Sequence, residues 1–306
     1  MIKHGEWTTP AEAMHACGLN WGVRLSELTL KGTSTVAPAH RAVVRDDNGE
    51  VLGVVGRQWS PVQPARAFDF LNRLAPDLGM RFVNAGEFQG GRKVFVQAKL
   101  PEVMTVLPGD DTLEHITFTT GLDGGLATTI NETAVRIICQ NTFRMARLDD
   151  KGEFRFVIRH TGNQEQKLEA VRRQVQAVIN RFAAIRDDMK RFVQFSPSKA
   201  QVSSLLSQIL PYEVTERTTA DSMVGNAGSQ NRVRELMETG KGTEIPGVKG
   251  SAWGLFNAVT EFVDHERVTT GKTDAIRAEN RMRSATLGSG ATLKDKAYAG
   301  ILEMVS

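Results

Sequence analysis

The 306-residue sequence predicts an α+β fold: an N-terminal antiparallel β-sheet with packed helices, followed by a long heptad helix and a helical C-terminal region. Three observations carry that reading. In the first half, short apolar runs bracket glycine turns. An unbroken heptad repeat of apolar residues then begins at Leu168. Beyond it, helical periodicity alternates with Gly/Ser/Thr-rich stretches.

RAVVRD and EVLGVVG flank Asp47-Asn48-Gly49, and an Asn-Gly pair between apolar runs is a strong hairpin signal. A helix follows, with Pro64 near its start and Phe68, Leu71 and Leu74 at helical spacing. MRFVNAGEF and RKVFVQAKL surround Gln89-Gly90-Gly91. In the second of these, Val94, Val96, Ala98 and Leu100 alternate with Lys93, Phe95, Gln97 and Lys99, which predicts a half-buried strand with a basic outer face. LEHITFTT and LATTINET bracket Asp123-Gly124-Gly125 as another hairpin, and AVRIICQNTFRMAR reads as an apolar run passing into a helix.

The apolar positions Leu168, Val171, Val175, Val178, Phe182, Ile185, Met189 and Phe192 form one a/d stripe. A helix of about 28 residues, about 40 Å long, accommodates it and can pair within the chain or with a second copy. Ser196-Pro197-Ser198 ends it, with Ser198 or Pro197 opening the next helix. NRVRELMET and SAWGLFNAVTEFVDHER read as helices, and loops near 218–230, 239–251 and 284–293 are expected to be flexible. The expected division is residues 1–162 as sheet plus helices, the candidate DNA-binding core, and 163–306 as the helical region.

No apolar run approaches the ~20 residues needed to span a bilayer, and the N-terminus lacks a signal-peptide core, so a cytoplasmic protein is expected. Two cysteines, Cys17 and Cys139, cannot build a disulfide framework or a four-cysteine zinc site. Gly271-Lys272-Thr273 resembles the end of a phosphate loop, but Glu266 stands where that motif needs a glycine. Asp264-His265-Glu266 lacks the second histidine of a zinc-protease helix. The remaining histidines are scattered, and Cys139 in RIICQNTF reads as a small core residue. No catalytic residue, metal site or cofactor is therefore assigned.

Positive charge is modest overall, +3, but clustered: Gln164–Phe192 and His265–Lys296 each carry seven Lys/Arg against four acids. Such clusters suit a polyanion or are solvated helix faces. In the strand half, Arg41, Arg57, Trp59, Arg92, Lys93, Arg136, Arg144, Arg147, Arg155 and Arg159, with Arg45, stud the predicted sheet and its edges. Cations with an aromatic side chain for stacking can hold single-stranded nucleic acid without reading sequence, so these are the candidate nucleic-acid-binding residues.

Four stretches resemble a known family in order and spacing. They are EVLGVVGRQWSPVQPARAFDFL (Glu50–Leu71), GRKVFVQAKLPE (Gly91–Glu102), INETAVRIICQNTF (Ile130–Phe143) and SAWGLFNAVTEFVDHER (Ser251–Arg267). They are similar to domain of unknown function 932, the phage/plasmid-like proteins, from about Trp21 to the last helices. The resemblance implies a mobile-element setting. At fold level, hairpin strands followed by a helix are also similar to phage single-strand annealing proteins of the Redβ, RecT and Erf type, an analogy that transfers no residues. The expectation is a homo-oligomeric protein that binds and anneals single-stranded DNA in recombination. The alternatives are an accessory protein that binds a host defence factor, or an enzyme with a metal or nucleotide site spread through the chain.

Overall fold

The computed structural model describes residues 2–136, 138, 142–144, 155–172, 175–211 and 224–306, and the fold is α+β. The strands are β1 (Ile2–Trp7), β2 (Val23–Thr29), β3 (Val36–Arg45), β4 (Val51–Gly56), β5 (Arg81–Phe88), β6 (Lys93–Leu107), β7 (Asp110–Gly121), β8 (Thr128–Arg136), β9 (Thr142–Arg144) and β10 (Arg155–Ile158). The helices are α1 (Pro10–Cys17), α2 (Pro64–Leu78), α3 (Gln164–Arg172), α4 (Val175–Gln194), α5 (Lys199–Ile209), α6 (Val224–Thr239), α7 (Ala252–Glu261), α8 (Asp274–Leu287) and α9 (Ser289–Val305). A π-helical turn, Phe262–Glu266, continues α7.

Two antiparallel sheets form. The larger runs β1-β5-β6-β7-β8-β10, with β9 on β8; the smaller is the meander β2-β3-β4. The Asn-Gly turn closes β3 onto β4, with Gly49 at φ +76° supplying the left-handed residue that turn demands. The chain separates into two compact units that interleave along the sequence. Unit 1 is Met1–Pro101, His115–Glu132 and Arg155–Ile179; unit 2 is Glu102–Glu114, Thr133–Phe154 and Asn180–Ser306.

In unit 1, α2 lays its apolar stripe on the larger sheet: Phe68 packs on Phe82 and Phe70 on Phe118, ring centroids 5.7 and 5.6 Å apart. Phe95 and Gln97 are buried alongside Val94, Val96 and Ala98, so β6 is covered on both faces. The half-buried strand expected there is corrected, and the period-two pattern reflects a polar row rather than a solvent face. That row is hydrogen-bonded across strands: Asn84 donates to Gln97 (2.8 Å), and Gln97 donates to Thr117 (2.9 Å). The meander turns one face inward, and Gly53 on β4 is where it meets the β7–β8 hairpin. A Cβ at Gly53 would lie 2.6 Å from the carbonyl oxygen of Asp123.

In unit 2, Phe192 of α4 meets Tyr298 of α9 (5.3 Å), and Phe256 of α7 meets the same ring (5.7 Å). Ile185, Met189 and Phe192 are each about fully buried there, while Leu168 and Val171 of α3 are buried in unit 1. The described heptad positions are thus used within the chain. Residues 173–174 lie outside the described residues, so the continuity of the predicted helix falls outside them as well. Ser198 caps α5 with a capping box to Gln201, as its sequence context predicts.

Two of the stretches expected as flexible loops take up turns and helix. Residues 239–251 fold into turns: Gly242, at φ +83°, sits against the Arg136 guanidinium, and Gly247 sits against Leu107 and Val193. Residues 284–293 are helical apart from the break at Gly288 between α8 and α9. Of the third, Val224–Gln230 belong to α6, and 218–223 lie outside the described residues. The predicted passage into a helix after Arg136 is met at 142–144 by a strand instead. No helix among the described residues is long and apolar enough to cross a membrane.

Candidate nucleic-acid interface

Trp59 follows β4 and pairs as a single antiparallel bridge with Thr161, just beyond β10. Ser60 N–H donates to the His160 carbonyl (2.8 Å), so the two segments are clamped at that point. The Trp59 and His160 rings stack with centroids 4.9 Å apart and planes 14° from parallel. His160 Nδ1–H donates to Ser60 O (3.0 Å), and Nε2 faces the hydroxyls of Thr128 (3.3 Å) and Thr120 (3.5 Å). Burial pushes the imidazole below its ordinary pKa, aided by the nearby Lys167 charge and opposed by its backbone hydrogen bonds, so the ring is neutral at pH 7.

Several cations lie on or near these segments. Arg41, on β3, donates to the carbonyls of Arg57 and Trp59 (3.1 Å for the latter) and fixes the turn after β4. Arg57 and Arg159 are exposed, and no acid among the described residues lies within ion-pair distance of either. Lys167 of α3 reaches the carbonyls of Thr161 (2.5 Å) and Arg159 (3.3 Å) and holds α3 to the segment after β10. On the far flank of the β7–β8 hairpin, Arg92 is exposed, and its carbonyl accepts from Leu122 N–H (2.7 Å). Lys93 is tethered to Gln89 (2.9 Å) and Asp123 (3.5 Å). All of these residues belong to unit 1.

The sequence-derived set therefore divides. Arg41, Arg57, Trp59 and Arg159 lie on or beside the two segments clamped at the Trp59–Thr161 bridge, whereas Arg92 and Lys93 stand at the β5–β6 turn, beside Leu122 and Asp123 of the β7–β8 hairpin. Arg136 does not: it is fully buried in unit 2, bidentate to Asp110 at 2.5 and 2.7 Å, and is corrected from a surface contact to a core residue. Arg45 is buried too, with its guanidinium 3.9 Å over the Trp21 ring and paired with Asp47 and Glu87. Arg144 lies in β9 and Arg155 in β10, opposite Asn131, but their side chains are outside the described residues, as is the whole of Arg147. Trp59 is only 9% exposed and its face is taken by His160, so it serves as a spacer rather than an open stacking platform. Sequence reasoning missed His160, because its approach to Trp59 is a long-range pairing with no local signature, and missed the Lys167 bonds to the Arg159 and Thr161 carbonyls.

No group of three His, Cys, Asp or Glu side chains among the described residues is placed to hold a metal. The Asp264-His265-Glu266 triplet is structural: Asp264 pairs with the buried Lys294 (2.6 Å), and Glu266 forms a fork with Arg232 (2.6 and 2.7 Å). Thr273 caps α8 through its hydroxyl, and Cys139 lies outside the described residues.

The family model described as Domain of unknown function (DUF932) matches residues 51–286. The chain belongs to the DUF932 family. The match takes in β4, Trp59 and the cations flanking it, so the DUF932 region includes most of the cluster just described. No curated protein and no solved structure matches the chain.

Proposed function

We propose that this DUF932 protein binds single-stranded DNA along the cationic rim of unit 1 and anneals strands in the recombination of a mobile element. The observation that carries the reading is that Arg57 and Arg159, on the two segments joined at the Trp59–His160 stack, and Arg92, at the β5–β6 turn of the same unit, are exposed and without ion-pair partners among the described residues. Uncommitted guanidinium groups on a fixed framework suit a phosphate backbone, since each contact releases a counterion and needs no base identity. Arg41 and Lys167, bound to main-chain carbonyls, position the rim and are not its phosphate contacts.

The reading assigns no chemistry to the protein; its work is binding and alignment. The test is fluorescence-anisotropy binding to labelled single- and double-stranded oligonucleotides at low salt, followed by a strand-annealing assay. Binding of single strands with little sequence preference, lost when Arg57 and Arg159 become alanine, supports the proposal. Absence of binding at low salt defeats it and turns attention to a host protein partner.

A further inference from the structure

The meander β2-β3-β4 ends on β4, and no other strand among the described residues takes up its outer edge. Open edges are ordinarily blunted by charge. The edge strand β2 carries Arg24 and Glu27, and β1 carries Lys3 and Glu6. β4, VLGVVG, carries no charge, and its Val51 and Val54 are 52% and 54% exposed. Arg57 N–H donates to Ala39 O, and Val55 and Gly53 register with Arg41 and Val43. The two-residue alternation of an antiparallel ladder then turns the Val54 N–H and C=O away from β3, toward the open side.

We propose that β4 is a self-association edge, pairing antiparallel with β4 of a second copy and joining two meanders into one continuous sheet. Centred on Val54, the pairing makes two main-chain hydrogen bonds between the two Val54 residues and sets Gly53 opposite Val55 of the second copy. Charge fixes the direction. Glu50 and Arg57, both exposed, bracket the strand at opposite ends, and neither has an ion-pair partner among the described residues. Antiparallel pairing brings Glu50 of one copy within a residue of Arg57 of the other at both ends, whereas parallel pairing would set like charges together. The β7–β8 hairpin tip packs against this strand, Asp123 beside Gly53 and Gly124 beside Val55, and a Cβ at Gly124 would stand 3.9 Å from the Val54 carbonyl oxygen, so the second copy pairs alongside that tip.

The proposal shares Arg57 with the DNA-binding reading, since a guanidinium held by Glu50 of a second copy is not free for a phosphate, and it is tested without DNA so that the two can fail separately. Sedimentation velocity and light scattering on the full chain from about 1 to 100 μM are expected to show a dimer. Val54→Lys places a like charge at the centre of the pairing and is expected to raise the dimer dissociation constant by at least about tenfold, with an unchanged circular dichroism spectrum. Glu50→Arg or Arg57→Glu alone weakens the dimer, and the double swap Glu50→Arg/Arg57→Glu restores it. A wild-type chain that stays monomeric over that range overturns the proposal. So does a dimer indifferent to Val54→Lys, or a double swap no better than its singles.

Discussion

Removing the Asp110 carboxylate tests how unit 2 is held together. Asp110 and Arg136 are both fully buried and make a bidentate pair, and the same carboxylate accepts from Trp253 Nε1–H at 2.7 Å. Arg136 also donates to the Lys241 carbonyl at 3.0 Å, and its guanidinium fills the space beside Gly242 where a Cβ would stand 2.6 Å away. Asp110→Ala removes a carboxylate from a buried guanidinium, which costs about 3–5 kcal/mol, and removes the acceptor at 2.7 Å from an indole N–H, about 1–3 kcal/mol by itself. These terms overlap because they share one carboxylate, so the expected total is about 4–6 kcal/mol. Urea unfolding followed by circular dichroism and tryptophan fluorescence measures it. The double variant Asp110→Asn/Arg136→Met removes both charges yet keeps an acceptor for Trp253, and should recover at least about 2 kcal/mol of that loss. A cost below about 1 kcal/mol for Asp110→Ala would refute the view that this pair organises the unit.

Other consequences follow from local geometry. A Cβ on Gly254 would stand 2.3 Å from the Val248 carbonyl oxygen, so Gly254→Ala should destabilise by about 1–3 kcal/mol in the same urea assay. The folded pKa of His160 lies below the 6.5 of a free imidazole, so the unfolded chain takes up the proton first. Its contribution to stability is full above that value and falls as the pH drops below it, and His160→Gln should remove this component when wild type and variant are compared between about pH 7.5 and 5.5. The Arg232 fork holds Glu266 below the ordinary 4.5, so its contribution is present above pH 4.5 and is lost on acidification through the lower folded value; Glu266→Gln should flatten the acid limb of the stability curve.

Local signals in the sequence located the hairpin strands β3 to β8 and their turns, but not β1, α1, β2 or β9. Asp47-Asn48-Gly49 and Asp123-Gly124-Gly125 each stand between paired strands, because left-handed glycines are required by the backbone whatever surrounds them. The heptad stripe marked buried positions, Ile185 and Met189 among them, but periodicity could not say that Phe192 meets Phe256 and Tyr298 of the same chain rather than a second copy. The glycine-rich stretch 239–251 looked mobile by composition, yet its glycines are there for close approach, Gly242 to a guanidinium and Gly247 to Leu107. Charge on a predicted strand gave no sign of depth: Arg57 is exposed, whereas Arg136 is buried because Asp110, distant in sequence, neutralises it. The pairing of Trp59 with His160 was illegible for the same reason.

The measurement that bears most directly on the DNA-binding account is a salt titration of single-stranded oligonucleotide anisotropy, wild type against Arg57→Ala/Arg159→Ala. If these arginines each neutralise a phosphate, the wild type binds tightly at low salt and weakens steeply as salt rises. The double variant should then show a log–log slope shallower by about 1.4, since a single-strand contact contributes about 0.7. A wild type that does not bind, or a variant whose affinity and slope match the wild type, would contradict it.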